Sequence, residues 1–125
     1  MRYALLLNNL EAQDADISEE DMEPFKVAFD EYGRALEAAG VLIAAEILQP
    51  VADTTQVTLR NGGLTIQDGP FIDTKERLAG AFVIDVPDLD AALAWAEKCP
   101  GAQYGVIEVR PSAISFTGGR WVMAG

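Results

Sequence analysis

Glu46 is the only charge in the apolar run from Val41 to Leu48. A carboxylate placed there either reaches water or is paired in a cleft, because burying it unpaired is costly. In a cleft, burial would raise its pKa and suit it to act as a general base. Asp68 opens the tetrad Asp68-Gly69-Pro70-Phe71. Each residue there has a sufficient turn role: aspartate bonding backbone, glycine supplying positive φ, proline fixing φ. Asp68 could equally stand at a cleft mouth as base or polar anchor. Lys75, beside Glu76, is either a solvated charge or the holder of an anionic ligand group. Tyr104, Glu108 and Arg110 alternate with Ile107 and Val109, which puts these three polar side chains on one face of a strand. Glu108 and Arg110 could pair with each other or with Glu46, or form an edge-strand bridge worth little.

The counts remove other chemistries. The 125 residues include no histidine and one cysteine. A Ser-His-Asp triad, a Cys-His dyad and a Cys/His zinc site within the chain are therefore excluded. Cys99, near a helix C-terminus, lacks the setting of an activated thiolate and reads as core. No phosphate-loop glycine pattern and no EF-hand spacing occurs, so no cofactor and no metal is expected. Nine Lys+Arg against 20 Asp+Glu give a net charge of −11. That balance argues against nucleic acid and against anionic membrane surfaces. Trp95 and Trp121 read as packing residues.

The elements that must position these residues follow from periodicity. Residues 2–8 predict a strand. Phe25, Ala28, Phe29, Tyr32, Leu36 and Ala39 form one stripe of a helix. Ser18 with Asp21 resembles a capping box, but Pro24 argues for a start near Glu23, with the proline at the first helical position. Gly40 suits the stop. Residues 41–48 form a second strand, and 55–60 with 63–67 a hairpin around Asn61-Gly62. Residues 79–86 are a further strand. Asp88 caps a second helix whose apolar face is Leu89, Ala92, Leu93, Ala96 and Cys99. Residues 104–110 close the pattern.

The order is βαββαβ with an inserted β-hairpin, an α+β plan of ferredoxin-like type. Strands 2–8, 41–48 and 79–86 are apolar on both faces, whereas a sheet covered on one side only should alternate. The second face needs a cover, and a second subunit around a two-fold axis supplies it, so a homodimer is expected. Residues 1–111 make the domain. Residues 112–125 form a tail whose Ile114, Phe116, Trp121, Val122 and Met123 are expected to pack on the sheet or on the partner. The short run at 3–7 does not resemble a signal-peptide core, no run is long enough to span a membrane, and the cytoplasm is the expected location.

Asp68-Gly69-Pro70-Phe71, Thr74-Lys75-Glu76 with Gly80, Glu46 with Leu48-Gln49-Pro50, Cys99-Pro100-Gly101-Ala102 and Glu108-Val109-Arg110-Pro111 occur in one chain. In these segments the chain resembles the DGPF domain family of the YCII-related superfamily. Ala79 departs from the pattern, standing where the family often has a first glycine. The resemblance implies a dimeric α/β barrel of ferredoxin-like subunits and a functional association with sigma factors. It also favours Lys75 as a ligand contact. Proton transfer by a His and an Asp, thought to operate in some wider relatives, cannot be carried over to a chain without histidine.

Two functions follow. One is a small-molecule-binding or regulatory dimer whose ligand contacts come from Glu46, Asp68, Lys75, Tyr104, Glu108 and Arg110. The other is a cofactor-free enzyme of lyase or isomerase type, with Glu46 or Asp68 as base and Lys75 as its electrostatic partner.

Overall fold

A computed structural model describes residues 1–10, 19–69 and 76–123. Four strands form the main sheet: β1 (Arg2–Leu10), β2 (Leu42–Ile47), β5 (Glu76–Asp85) and β6 (Val106–Pro111). Their spatial order is β2-β5-β1-β6, and every neighbouring pair is antiparallel. Two helices, α1 (Glu19–Ala38) and α2 (Leu89–Lys98), supply the crossovers. This is a mixed α+β fold consistent with the ferredoxin-like plan, and the hairpin is inserted between the second and third core strands.

α1 starts earlier than Pro24 predicts. It runs from Glu19, with Pro24 inside it. Pro24 and Glu20 are both exposed, so water can satisfy the Glu20 carbonyl that loses its backbone donor. Ser18, the expected cap, lies outside the described residues. At the other end Val41 N–H donates to Leu36 O at 3.2 Å and Gly40 N–H to Glu37 O at 3.0 Å. That pair of bonds is the Schellman stop. α2 begins as predicted, with Asp88 Oδ1 accepting from Ala91 N at 2.9 Å.

The helices cover one face of the sheet. Tyr3, Leu5 and Leu7 of β1 and Phe82 and Ile84 of β5 are buried there against Tyr32 and Leu36 of α1 and Ala92 and Ala96 of α2. The Tyr32 hydroxyl donates to Trp95 O at 2.7 Å and ties the two helices together. Leu89 and Leu93, expected on the buried face of α2, are 48% and 46% exposed. The ten-residue helix has room to bury only its small alanines against the sheet.

Among the described residues the opposite face carries no helix. Register places Ala44, Val83, Ala4 and Arg110 in one row across it, and Glu46, Ala81, Leu6 and Glu108 in the next. Its centre, Ala4, Leu6, Ala81 and Val83, is half-buried within the single chain.

Two hairpins stand outside this sheet. β3 (Thr55–Arg60) pairs with β4 (Gly63–Asp68) around Asn61 at φ 52° and Gly62 at φ 76°. Positive φ at both central residues defines the type I′ turn that Asn-Gly favours. The tail folds similarly. β7 (Ile114–Thr117) pairs with β8 (Arg120–Met123) around Gly118 and Gly119, again with positive φ at both.

Candidate functional site

The cleft that could hold a ligand lies on the helix side, under the N-terminal half of α1. It encloses about 920 Å³. Its apolar lining includes Leu7, Phe25, Phe29, Ile47, Leu48 and Leu78. These come from α1, from the central strands β1 and β5, and from the end of β2. A cavity of this size, mostly apolar with a few polar groups, has the proportions of a small-molecule site.

Four of the polar groups gather at its strand-end wall and under the helix: Asn9, Arg77, Lys26 and Tyr104. Asn9 and Arg77 face each other across β1 and β5. Their placement depends on an irregularity. Leu7 pairs with Gly80 but Asn8 pairs with Leu78, which leaves Ala79 as an extra residue in β5. Phe82 and Ile84 face the helices, so strict alternation would send Arg77 to the opposite face. One bulged residue reverses the phase and turns Arg77 into the cleft beside Asn9. The Ala79 carbonyl accepts from Leu48 N at 2.8 Å, which holds the end of β2 against the bulge.

Asn9 Oδ1 is buried and has no hydrogen-bond partner among the described residues. The oxygen packs against Gly105, where a Cβ would meet it, while Asn9 as a residue lines the cleft. Lys26 lies 3.6 Å from Glu23 on the exposed turn of α1. Asp30, the cleft's one acid among the described lining, is held by Arg34 at 2.8 Å. Phe25 stands edge-on to Tyr104 with ring centroids 5.2 Å apart. These two rings divide the cleft from a shallower groove of about 540 Å³ between the helices, lined by Tyr32, Trp95 and Lys98 among others.

Of the residues named from sequence, Tyr104 lines the cleft. It does not share a face with Glu108 and Arg110. β6 begins only at Val106, and Tyr104 closes a short 3-10 turn, Pro100–Gln103, at the helix side. Glu46, Glu108 and Arg110 lie on the helix-free face, all exposed. Glu46 and Glu108 sit at opposite edges of one row, three strand spacings or about 14 Å apart. Glu108 accepts from Asn8 Nδ2 at 2.9 Å, and no ion pair joins it to Arg110 among the described residues. Asp68 is exposed at the end of β4, 3.5 Å from Thr55 Oγ1. Pro70, Phe71, Thr74 and Lys75 lie outside the described residues. Glu46 and Asp68 thus stand on separate elements, and neither lines the cleft.

Asn9 and Arg77 were missed from sequence. Asn9 read as the end of a strand, and nothing in the run Glu76-Arg77-Leu78-Ala79-Gly80 marks where the bulge falls. Phe25 and Phe29 were legible as the helix's apolar stripe, though not as a cavity wall.

Cys99 is buried behind α2. Burial pushes its thiol up from the ordinary value, against a pull down from the Gly101 backbone. It is therefore a neutral core thiol. Among the described residues no group of three or more Cys, Asp or Glu side chains converges to hold a metal, and no helix is long and apolar enough to cross a membrane.

An antiparallel α+β sheet with one helix-covered face and a cleft at its strand ends defines the class. The YCII-related domain matches residues 1–113. The chain belongs to the YCII-related family. An uncharacterised protein of Rhizobium meliloti (strain 1021) is 36% identical over 118 residues, which cover 91% of this chain and 94% of that protein.

Proposed function

We propose that this chain is a small-molecule-binding protein of the DGPF type within its family, and that it works as a homodimer. The cleft under α1 is the ligand site. The observation that carries this reading is a mostly apolar cavity of about 920 Å³ with Asn9, Lys26 and Arg77 among its lining. The fitting ligand is amphipathic. Its apolar body lies along Phe25 and Phe29. Its head group brings a polar group to Asn9 and negative charge to Arg77. A hydroxylated carboxylate combines these features. Binding is favoured over catalysis because the two candidate bases, Glu46 and Asp68, do not line the cleft.

The dimer is supported by the half-apolar, helix-free sheet face. Stacking two such faces around a two-fold axis yields the dimeric α/β barrel.

A thermal-shift series tests the ligand reading. Medium-chain and aromatic hydroxy-carboxylic acids are expected to raise Tm by several degrees at saturation, and their methyl esters less. Arg77→Met should abolish the difference between acid and ester. A series in which no acid raises Tm, or in which Arg77→Met responds like the parent, would overturn it.

A further inference from the structure

Both hairpins are turned inside out. In β3 the polar Gln56 and Thr58 are the half-buried residues, while Val57 and Leu59 between them are 65% and 70% exposed. Their cross-strand partners, Ile66 and Leu64, are 64% and 63% exposed. β7 repeats the inversion. Ser115 is half-buried, while Ile114 and Phe116 are 51% and 59% exposed, opposite Met123 at 83% and Trp121 at 64%. A soluble hairpin ordinarily turns its apolar face inward, and an isolated two-stranded ribbon has little stability in water. Contiguous exposed apolar faces of this kind mark interaction surfaces.

We propose that each face is the cover of the other across the dimer: the β7–β8 hairpin of one chain docks on the β3–β4 hairpin of its partner, and the reciprocal contact closes the pair. The topology argues for this. β3–β4 follows β2 and β7–β8 follows β6, and these are the two edge strands of the sheet. β2 ends level with Gly80 and Leu7, whereas β6 ends level with Tyr3 and Ile84. The hairpins therefore leave from diagonally opposite corners, which keeps them apart within one chain. Stacking the helix-free faces about a two-fold axis along the other diagonal exchanges those corners. One copy's β3–β4 then arrives at its partner's β7–β8, with the two sheets crossing at near right angles, an established way for sheets to pack.

The faces match in kind. Each is a square of four uncharged side chains, one aliphatic and one carrying the edge-to-face pair Phe116–Trp121, whose centroids lie 5.3 Å apart. Two such contacts bring together sixteen large side chains. At roughly 100 Å² apiece they approach the roughly 1,600 Å² of a standard stable interface. This inference rests on the dimer proposed above but not on its ligand.

Cross-linking tests it. Two chains are co-expressed in a Cys99→Ser background, one with Leu59→Cys and the other with Trp121→Cys, and treated with a short bis-maleimide. A covalent dimer is expected in the mixed sample and not from either chain alone. Sedimentation of the parent protein separates the failures. A dimer that gives no mixed cross-link overturns the hairpin exchange and leaves the stacked sheets standing. A monomer overturns both. Linkage within one doubly substituted chain, or a ladder of higher species, also overturns the closed exchange. As a second measurement, Phe116→Ser with Trp121→Ser should weaken dimerisation at least tenfold with the circular dichroism of the core unchanged.

Discussion

Cys99 and Tyr32 lie in one buried neighbourhood and respond to pH together. Burial raises the Tyr32 phenol well above its usual range, and the nearby Cys99 adds to the effect. The Cys99 thiol is raised chiefly by burial. Both groups are neutral in the folded protein and ionise more easily in the unfolded chain. Their contribution to stability is complete below the unfolded values, about 8.5 for the thiol and about 10 for the phenol. It is lost as pH rises above them towards the folded values. Tm is expected to hold through neutrality and then fall, and Cys99→Ala should flatten the first part of that fall. Equal slopes for parent and variant between pH 8 and 10 would refute the assignment. Gly105 provides a second residue-scale prediction. A Cβ there would run into the Asn8 carbonyl and Asn9 Oδ1. Gly105→Ala should cost about 1–3 kcal/mol of stability, read by urea denaturation, and should also displace Asn9 from the cleft wall.

Among the elements, α1 carries the sharpest prediction. Pro24 deprives the Glu20 carbonyl of its backbone donor inside a 20-residue helix. Pro24→Ala restores that bond on an exposed turn and should stabilise the protein by about 1 kcal/mol, seen as a higher urea midpoint. The elements also show what could be read before the fold was known. The α1 stripe, the Asp88 cap, the Asn61-Gly62 hairpin and the order of the core elements were all legible, because each depends on a local signal of period or turn chemistry. The start of α1 was not, because solvent at an exposed turn outweighs the rule that proline opens a helix. The position of Tyr104 was not, because alternation was carried past the true start of β6. The β7–β8 pairing was missed because two adjacent glycines and four apolar residues were read as a tail without a turn. At the cleft, the aromatic wall was legible and the polar wall was not.

At the scale of the whole molecule, the proposed dimer turns on the helix-free sheet face. Leu6 and Ala81 lie at the middle of one of its rows, with Glu46 and Glu108 at the edges. Leu6→Asp places an unpaired carboxylate at the centre of the proposed interface, where it would have to be desolvated. The variant is expected to sediment as a folded monomer at micromolar concentration. A persistent dimer would mean that the faces do not stack. The net charge of −11 has its meaning at this scale too. In the proposed dimer, surface acids such as Asp30 and Glu37 would repel copies that approach in the wrong orientation, while the uncharged hairpin faces and the centre of the sheet would not.

The extra residue at Ala79 bears on how this strand can be inherited. An extra residue in a strand ordinarily sends everything beyond it to the wrong face. Here the bulge absorbs it. Loss of the codon for Ala79 would straighten the ladder and still leave Asn8 opposite Leu78 and Asn9 opposite Arg77. A lineage could thus gain or shed this residue and keep the same wall, so relatives that differ by one residue here would share the placement of the arginine.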